Sequence, residues 1–156
     1  MIIRSAQPPD VANLLPMIAK ICALHENWDA AKYGFLPHPE RRYESWLNRL
    51  IQNQRDLCLV AEDNNQLIGF LIATVEQEIP IYRLKQYAFI HDLWIEDEYR
   101  RGGIAKQMVQ QAIANFQQLG ITQIRLDTAH PNEAARRLFT DCGFRISTIE
   151  MLIELN

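Results

Sequence analysis

Two groups of residues in this chain have the types and spacing that chemistry requires. The first is Arg100-Arg101-Gly102-Gly103-Ile104-Ala105, which follows the acidic run Glu96-Asp97-Glu98 and opens a stretch of helical periodicity. Glycine reaches backbone angles closed to other residues and puts no side chain between main chain and ligand. The first N–H groups of the helix that follows have no partner inside it and lie at the positive end of its dipole. A phosphate fits there, and two arginines add full charges. The plain alternative is a tight strand-to-helix connection with solvated arginines. The second group can move protons: His91, Asp92 and Asp127. The ordinary histidine pKa, about 6.5, suits proton transfer near neutrality. Neighbouring strand residues point to opposite faces, so at most one of His91 and Asp92 is expected to face a given ligand. Each of the three could equally be a polar group satisfied by its neighbours.

The elements around these groups follow from periodicity. Tyr87 to Ile95 is rich in aromatic and β-branched residues and reads as a strand. After the glycines, Ile104, Met108, Ala112, Val109, Ile113 and Phe116 recur at helical spacing, and Gly120 stands where a helix C-cap belongs. Ile121 to Thr128, carrying Asp127, reads as the next strand, and Asn132 caps a short helix that Gly143 ends. Upstream, Met1 to Ser5 reads as a strand, followed by a helix capped by Asp10 with a kink or break expected at Pro16. An aromatic loop, Glu26 to Leu36, has no clear period, and Pro39 opens a second helix. Leu57 to Glu62 and Leu67 to Val75 form a hairpin about Asp63-Asn64-Asn65, with a bulge expected at Gly69. Ile149, Met151, Ile153 and Leu155 alternate with Glu150 and Glu154, which reads as a half-buried final strand.

A chain of 156 residues with a formal charge of −3 is expected to form one domain, residues 1–156. Its charge balance implies no general affinity for nucleic acid or an anionic membrane. Three cysteines, Cys22, Cys58 and Cys142, show no framework spacing, and no metal-ligand spacing links Cys and His. Without a signal peptide or a long apolar run, a cytoplasmic location is expected. The dinucleotide fingerprint and the P-loop are both excluded, because neither Gly-x-Gly-x-x-Gly nor Gly-Lys-Ser/Thr occurs at the strand end.

What the stretch resembles is the GNAT superfamily of N-acetyltransferases, whose acyl-CoA motif is Arg/Gln-x-x-Gly-x-Gly/Ala. Arg100, Gly103 and Ala105 match it, and Asn132, Ala135, Phe139 and Gly143-Phe144 match the family's downstream residues. The resemblance implies an α/β (α+β) domain with a mostly antiparallel, V-splayed mixed sheet and helices on both faces. It implies acetyl-CoA as acyl donor and an amine acceptor, a small molecule or a peptide N-terminus, with a second copy of the chain kept as a candidate partner. It implies that the main chain of Leu93, Trp94 and Ile95 bonds the pantetheine arm. The amides of Arg101, Gly102, Gly103, Ile104 and Ala105 would hold the pyrophosphate, beside Arg100, and Asn132 and Phe139 would border the CoA arm. For the general base it points to Asp127, where ribosomal-protein alanine acetyltransferases carry a catalytic Glu, and to the central strand with His91 and Asp92. Many members place an acidic Tyr where this chain has Phe139, which has no proton to give. Tyr33, Tyr82, Tyr87 or water would then serve. A non-catalytic acyl-CoA-binding or protein-interaction module on the same fold is the rival reading.

Overall fold

A computed structural model describes residues 1–156. The strands are β1 (Ile2–Ser5), β2 (Leu57–Asp63), β3 (Gln66–Gln77), β4 (Gln86–Ile95) and β5 (Ile124–Leu126). The helices are α1 (Val11–Trp28), α2 (Pro39–Gln52), α3 (Ile104–Gln118) and α4 (Glu133–Asp141). The strands lie in the order β1-β2-β3-β4-β5, the first four antiparallel and β5 parallel to β4. The sheet is therefore mixed and mostly antiparallel. No helix is long and apolar enough to cross a membrane.

The alternation of side chains sorts the core into two layers. Cys58 and Val60 of β2 and Phe70 and Ile72 of β3 pack under α1 and α2, with Leu14, Ile18, Leu47 and Leu50. Leu57, Leu59, Ala61, Leu71 and Ala73 face the other way, against Met108, Val109, Ala112 and Phe116 of α3. Both strands are apolar on both sides because helices cover both. Arg4 ties the first strand to its neighbours: its guanidinium donates to Asp10 at 2.7 and 3.0 Å and to Glu62 at 2.8 Å. Held by Arg4, the Asp10 carboxyl lies below the usual carboxylate range.

The β2–β3 turn is as expected, with Asn64 and Asn65 in left-handed backbone at φ 48° and 62°. Four expectations are revised. Helix α1 runs through Pro16 unbroken. The hairpin bulge falls at Ile68, the residue skipped between the pairs Ala61↔Gly69 and Glu62↔Leu67. Strand β5 is only three residues long, since it pairs with β4 no further than Ile90↔Leu126. The expected final strand is absent: residues 145–156 have no strand partner, and Ile149, Met151, Ile153 and Leu155 are exposed.

Gly69 has a different duty from making a bulge. A Cβ there would lie 2.5 Å from Ile95 Cδ1 and 2.7 Å from the Trp94 carbonyl oxygen. A carbonyl on a paired strand cannot give way cheaply, so the missing side chain lets the end of β4 close onto β3. Gly69→Ala is expected to destabilise the fold by about 1–3 kcal/mol, the usual cost of overpacking. Urea unfolding of parent and variant checks this; an unchanged midpoint would contradict it.

Candidate active site

The site begins where β4 loses its neighbours. Opposite β3, the pairs run Ala73↔Ile90 and then Ile72↔Asp92, so His91 is an extra residue, a β-bulge in the central strand. On its other side β4 pairs with β5 only through Ala88, Phe89 and Ile90. From His91 to Ile95 the main chain has no strand beside it on the β5 side. The two strands stop pairing at the bulge, which leaves the candidate cleft between Leu93-Trp94-Ile95 and the chain beyond Leu126.

The bulge also reassigns the faces. Ala88 and Ile90 belong to the α3 layer, whereas Trp94 belongs to the α1–α2 layer. Asp92 accepts a hydrogen bond from the Tyr43 hydroxyl of α2 at 3.1 Å, and the His91 ring packs edge-on against Trp46 of α2 at 5.2 Å. Both side chains therefore face α2. The expectation that only one of them would do so is overturned, because an inserted residue breaks the two-residue period.

The proton placement on this face follows from the partners. Thr74 Oγ1 lies 2.6 Å from a Glu76 carboxylate oxygen and 2.7 Å from His91 Nε2. An ionised carboxylate only accepts, so the threonine hydrogen goes to Glu76, and His91 Nε2 must donate. Burial lowers the pKa of His91, opposed by Asp92 and Glu76, so the ring is neutral with Nδ1 left as an acceptor. Burial raises the pKa of Asp92, while the Tyr43 hydrogen bond and the nearby His91 and His25 draw it back. Asp127 is different: it is exposed, one residue past the end of β5, close to Lys32 and Tyr33. The structure thus separates the candidates, with His91 and Asp92 against α2 and Asp127 beyond the end of β5.

The glycine loop follows from the strand end. Arg100 does not point outward. Its Nε donates to the Ile95 carbonyl at 2.8 Å, its Nη1 pairs with Asp97 at 2.8 Å, and its guanidinium lies 4.6 Å above the Trp94 ring. It buckles the loop to β4. Arg101 and Gly103 both take left-handed backbone, at φ 67° and 76°. As a result the N–H groups of Arg101, Gly102, Gly103, Ile104, Ala105 and Lys106 have no main-chain acceptor. A run of such amides at a helix N-terminus forms an anion-binding concavity. A Cβ on Gly103 would meet nothing within 4 Å, so the space above the loop is open. These residues fit a pyrophosphate. Asn132 caps α4, accepting from the Ala135 N–H at 3.1 Å, and Phe139 is buried against Phe144 in the α3–α4 layer.

Residues 22–144 match the acetyltransferase (GNAT) family. The chain belongs to that family. It is an acyltransferase, and the family's acyl donor is acetyl-CoA. It is 26% identical over 134 residues to an aminoglycoside N(6')-acetyltransferase type 1 of Acinetobacter genomosp. 13, covering 85% of this chain and 90% of that one. Its fold is similar to that of a point mutant of the BH1408 protein of Bacillus halodurans, with TM-score 0.86 and 19% identity over 100% of both chains. It is also similar to a predicted acetyltransferase of Clostridium acetobutylicum solved with acetyl-CoA, with TM-score 0.77, 21% identity, and 99% and 95% coverage of the two chains.

Tyr43, Trp46, Thr74 and Glu76 were not singled out from the sequence. Tyr43 and Trp46 pack on the α1–α2 side of the core, and nothing local marks them as partners of β4. If Asp92 takes the acceptor's proton, the acidic limb of kcat/KM falls above the ordinary carboxylate range, because a base must be ionised and burial raises its pKa. Asp92→Asn is expected to abolish that limb and lower kcat by roughly 10²–10⁴. A pH–rate profile matching the parent would transfer the role to Asp127 or His91.

Proposed function

We propose that the protein transfers an acetyl group from acetyl-CoA to a primary amine of a small molecule or a peptide N-terminus by direct attack on the thioester. The observation that carries this reading is a pair of main-chain stretches without strand partners, the β5-facing edge of β4 beyond Ile90 and, after a hydrogen-bonded turn at residues 96–100, the amides of residues 101–106. A long, narrow, phosphate-headed donor suits such a track. The amides of Arg101, Gly102, Gly103, Ile104 and Ala105 bind its pyrophosphate. The open main-chain edge at Leu93, Trp94 and Ile95 holds the arm, and Asn132 has its side-chain N–H₂ uncommitted for the same purpose. Arg100 acts through the loop, by fixing it to Ile95 and Trp94.

An amine attacks only when neutral, so its proton must leave. Asp92 is favoured as the acceptor of that proton. It is half-buried on the bulge, held by Tyr43, and turned toward the helices that wall the acceptor side. His91, neutral with Nδ1 free, is suited to relay it. Asp127 is the second candidate, supported by its place at the cleft mouth. Much of the remaining barrier is removed by holding the two reactants together, worth about 7–11 kcal/mol in favourable cases. Phe139 supplies no acid. Among the tyrosines, Tyr33 is favoured: it is half-buried, packs edge-on against His25 at 4.8 Å, and lies near Asp127. Tyr87 lies under the Arg125 guanidinium at the start of β4, and Tyr82 is exposed in the β3–β4 connection. Aminoglycoside acetyltransferases are among the proteins the chain is similar to, and a polyamine or aminoglycoside belongs in the first acceptor panel.

Gly103→Glu tests the donor track. At φ 76° any side chain is strained, by roughly 1–2 kcal/mol, and a carboxylate would sit where the phosphates belong. The open space above Gly103 leaves the fold intact. Calorimetry is expected to show acetyl-CoA binding in the parent and none in the folded variant. Equal affinity would contradict the assignment. Thiol release against the amine panel separates the enzyme from its rival: binding with no turnover on any amine would favour the non-catalytic module.

A further inference from the structure

We infer that Thr74 and Glu76 of β3 are positioning residues for His91, holding its imidazole as the tautomer with hydrogen on Nε2 and leaving the lone pair of Nδ1 to take a proton. The role presupposes the acetyl-transfer reading above, whereas the tautomer does not.

The placement begins with the period of β3. Phe70, Ile72, Thr74 and Glu76 share one face of the strand, and Phe70 and Ile72 pack there under α1 and α2. Beyond Ile72 this face turns from apolar to polar. Apart from Asp10, Thr74 is the one polar side chain among the buried residues. Valine would fill the same space with no hydroxyl to satisfy. The bulge brings His91 onto this face, so Thr74 Oγ1 stands between two groups, 2.6 Å from Glu76 Oε1 and 2.7 Å from His91 Nε2. Glu76 itself is 3.9 Å from Nε2, so the hydroxyl links the carboxylate to the ring.

The strand is held firmly at this point. Strand β2 begins at Leu57, paired with Ala73, and does not reach Val75. The Asp56 side chain takes the place of a strand partner: it accepts from the Val75 N–H at 3.0 Å and from Asn53 at 2.9 Å. Thr74 and Glu76, on either side of Val75, are fixed with it.

A histidine that only served the fold would have both ring nitrogens engaged. Here Nε2 is tied and Nδ1 has no partner in the chain, on a side chain that is 29% exposed. The groups facing the ring are Asp92 beside it, Glu76 on β3, Asp56 ahead of β2 and Tyr43 of α2 through Asp92, with Trp46 and Phe89 as apolar walls. The charges among them are all negative, so they favour the imidazolium against the cost of burial. A proton that Asp92 has taken from the acceptor nitrogen then moves to Nδ1. The carboxyl O–H bond breaks as the N–H bond forms, Asp92 returns to carboxylate, and the ring is an imidazolium until water takes the proton from Nδ1. Throughout, Thr74 and Glu76 keep the Nε2 hydrogen in place.

The test is long-range ¹H–¹⁵N NMR of the histidine rings in the full chain, beside steady-state kinetics. His91→Gln identifies the His91 signals among the four histidines. The parent is expected to show a neutral His91 ring with hydrogen on Nε2; hydrogen on Nδ1 would overturn the inference. In Glu76→Gln the amide accepts or donates, so Thr74 no longer has to direct its hydrogen away from the ring. The expected result is a mixture of both tautomers and a lower His91 pKa, since a negative charge is gone. Thr74→Val is expected to act likewise, and Thr74→Ser to restore the parent spectrum. A tautomer unchanged in both Glu76→Gln and Thr74→Val would contradict the assignment. Both variants are expected to lower kcat by roughly ten- to a hundredfold, a share of the 10²–10⁴ that general base catalysis contributes, with KM for acetyl-CoA unmoved and Thr74→Ser near the parent. Parent rates in both would refute the positioning role, whatever the spectra show. The Glu76 side chain is 44% exposed, so Glu76→Gln leaves the fold intact and decides the matter if Thr74→Val does not fold. The spectra need neither donor nor amine. A parent that acetylates no amine would sink the acetyl-transfer reading, and the spectra would still decide the tautomer.

Discussion

A β-strand must find partners for its N–H and C=O groups on both sides, and in this sheet the supply stops at Ile90. The stop has two causes acting at one point. The extra residue at His91 turns β4 out of register with β3, and β5 ends at Leu126 without following. What remains is a strand end with one side satisfied and the other open. Buried polar main chain without a partner is costly, so the open side is tolerable only where solvent or a ligand meets it. The rest of the molecule keeps that opening from collapsing. Gly69 lets β3 grip the end of β4, and Arg100 fixes the exit of the strand to the loop.

The same distortion supplies the electrostatics. Without the bulge, the two-residue period would turn Asp92 to the apolar α3 layer. With it, Asp92 and His91 share the face that α2 covers, and Tyr43 and Thr74 fix their orientation. Burial then moves the two groups in opposite directions, the carboxyl up and the imidazole down, which brings their affinities for a proton closer together. Beyond the end of β5, Asp127 stays in water. Proton-transfer capacity is thus concentrated where the strand is distorted.

The loop of free amides at residues 101–106 was legible in the sequence because its cause is local. Gly103, the arginines and the helix that follows specify left-handed backbone and free amides within a few residues. The layers of the core were legible for the same reason, since period fixes face along a regular strand. The orientation of His91 and Asp92 was not, because it depends on how β4 registers against β3, two strands joined by a connection of no marked pattern. The partners of Arg100 were not legible: Trp94 and Asp97 are near in sequence, but only the loop geometry turns the guanidinium back onto them. The final strand expected from the alternation at residues 149–155 does not form, because a strand exists only with a partner and these residues have none.

Main-chain amides are the proposed binding surface for the donor, and amide resonances report on them one by one. Titration of ¹⁵N-labelled protein with CoA is expected to move the resonances of residues 101–106 and 91–95 most, with those of β1 and β2 nearly still. Shifts centred elsewhere, with residues 101–106 unmoved at saturation, would contradict it.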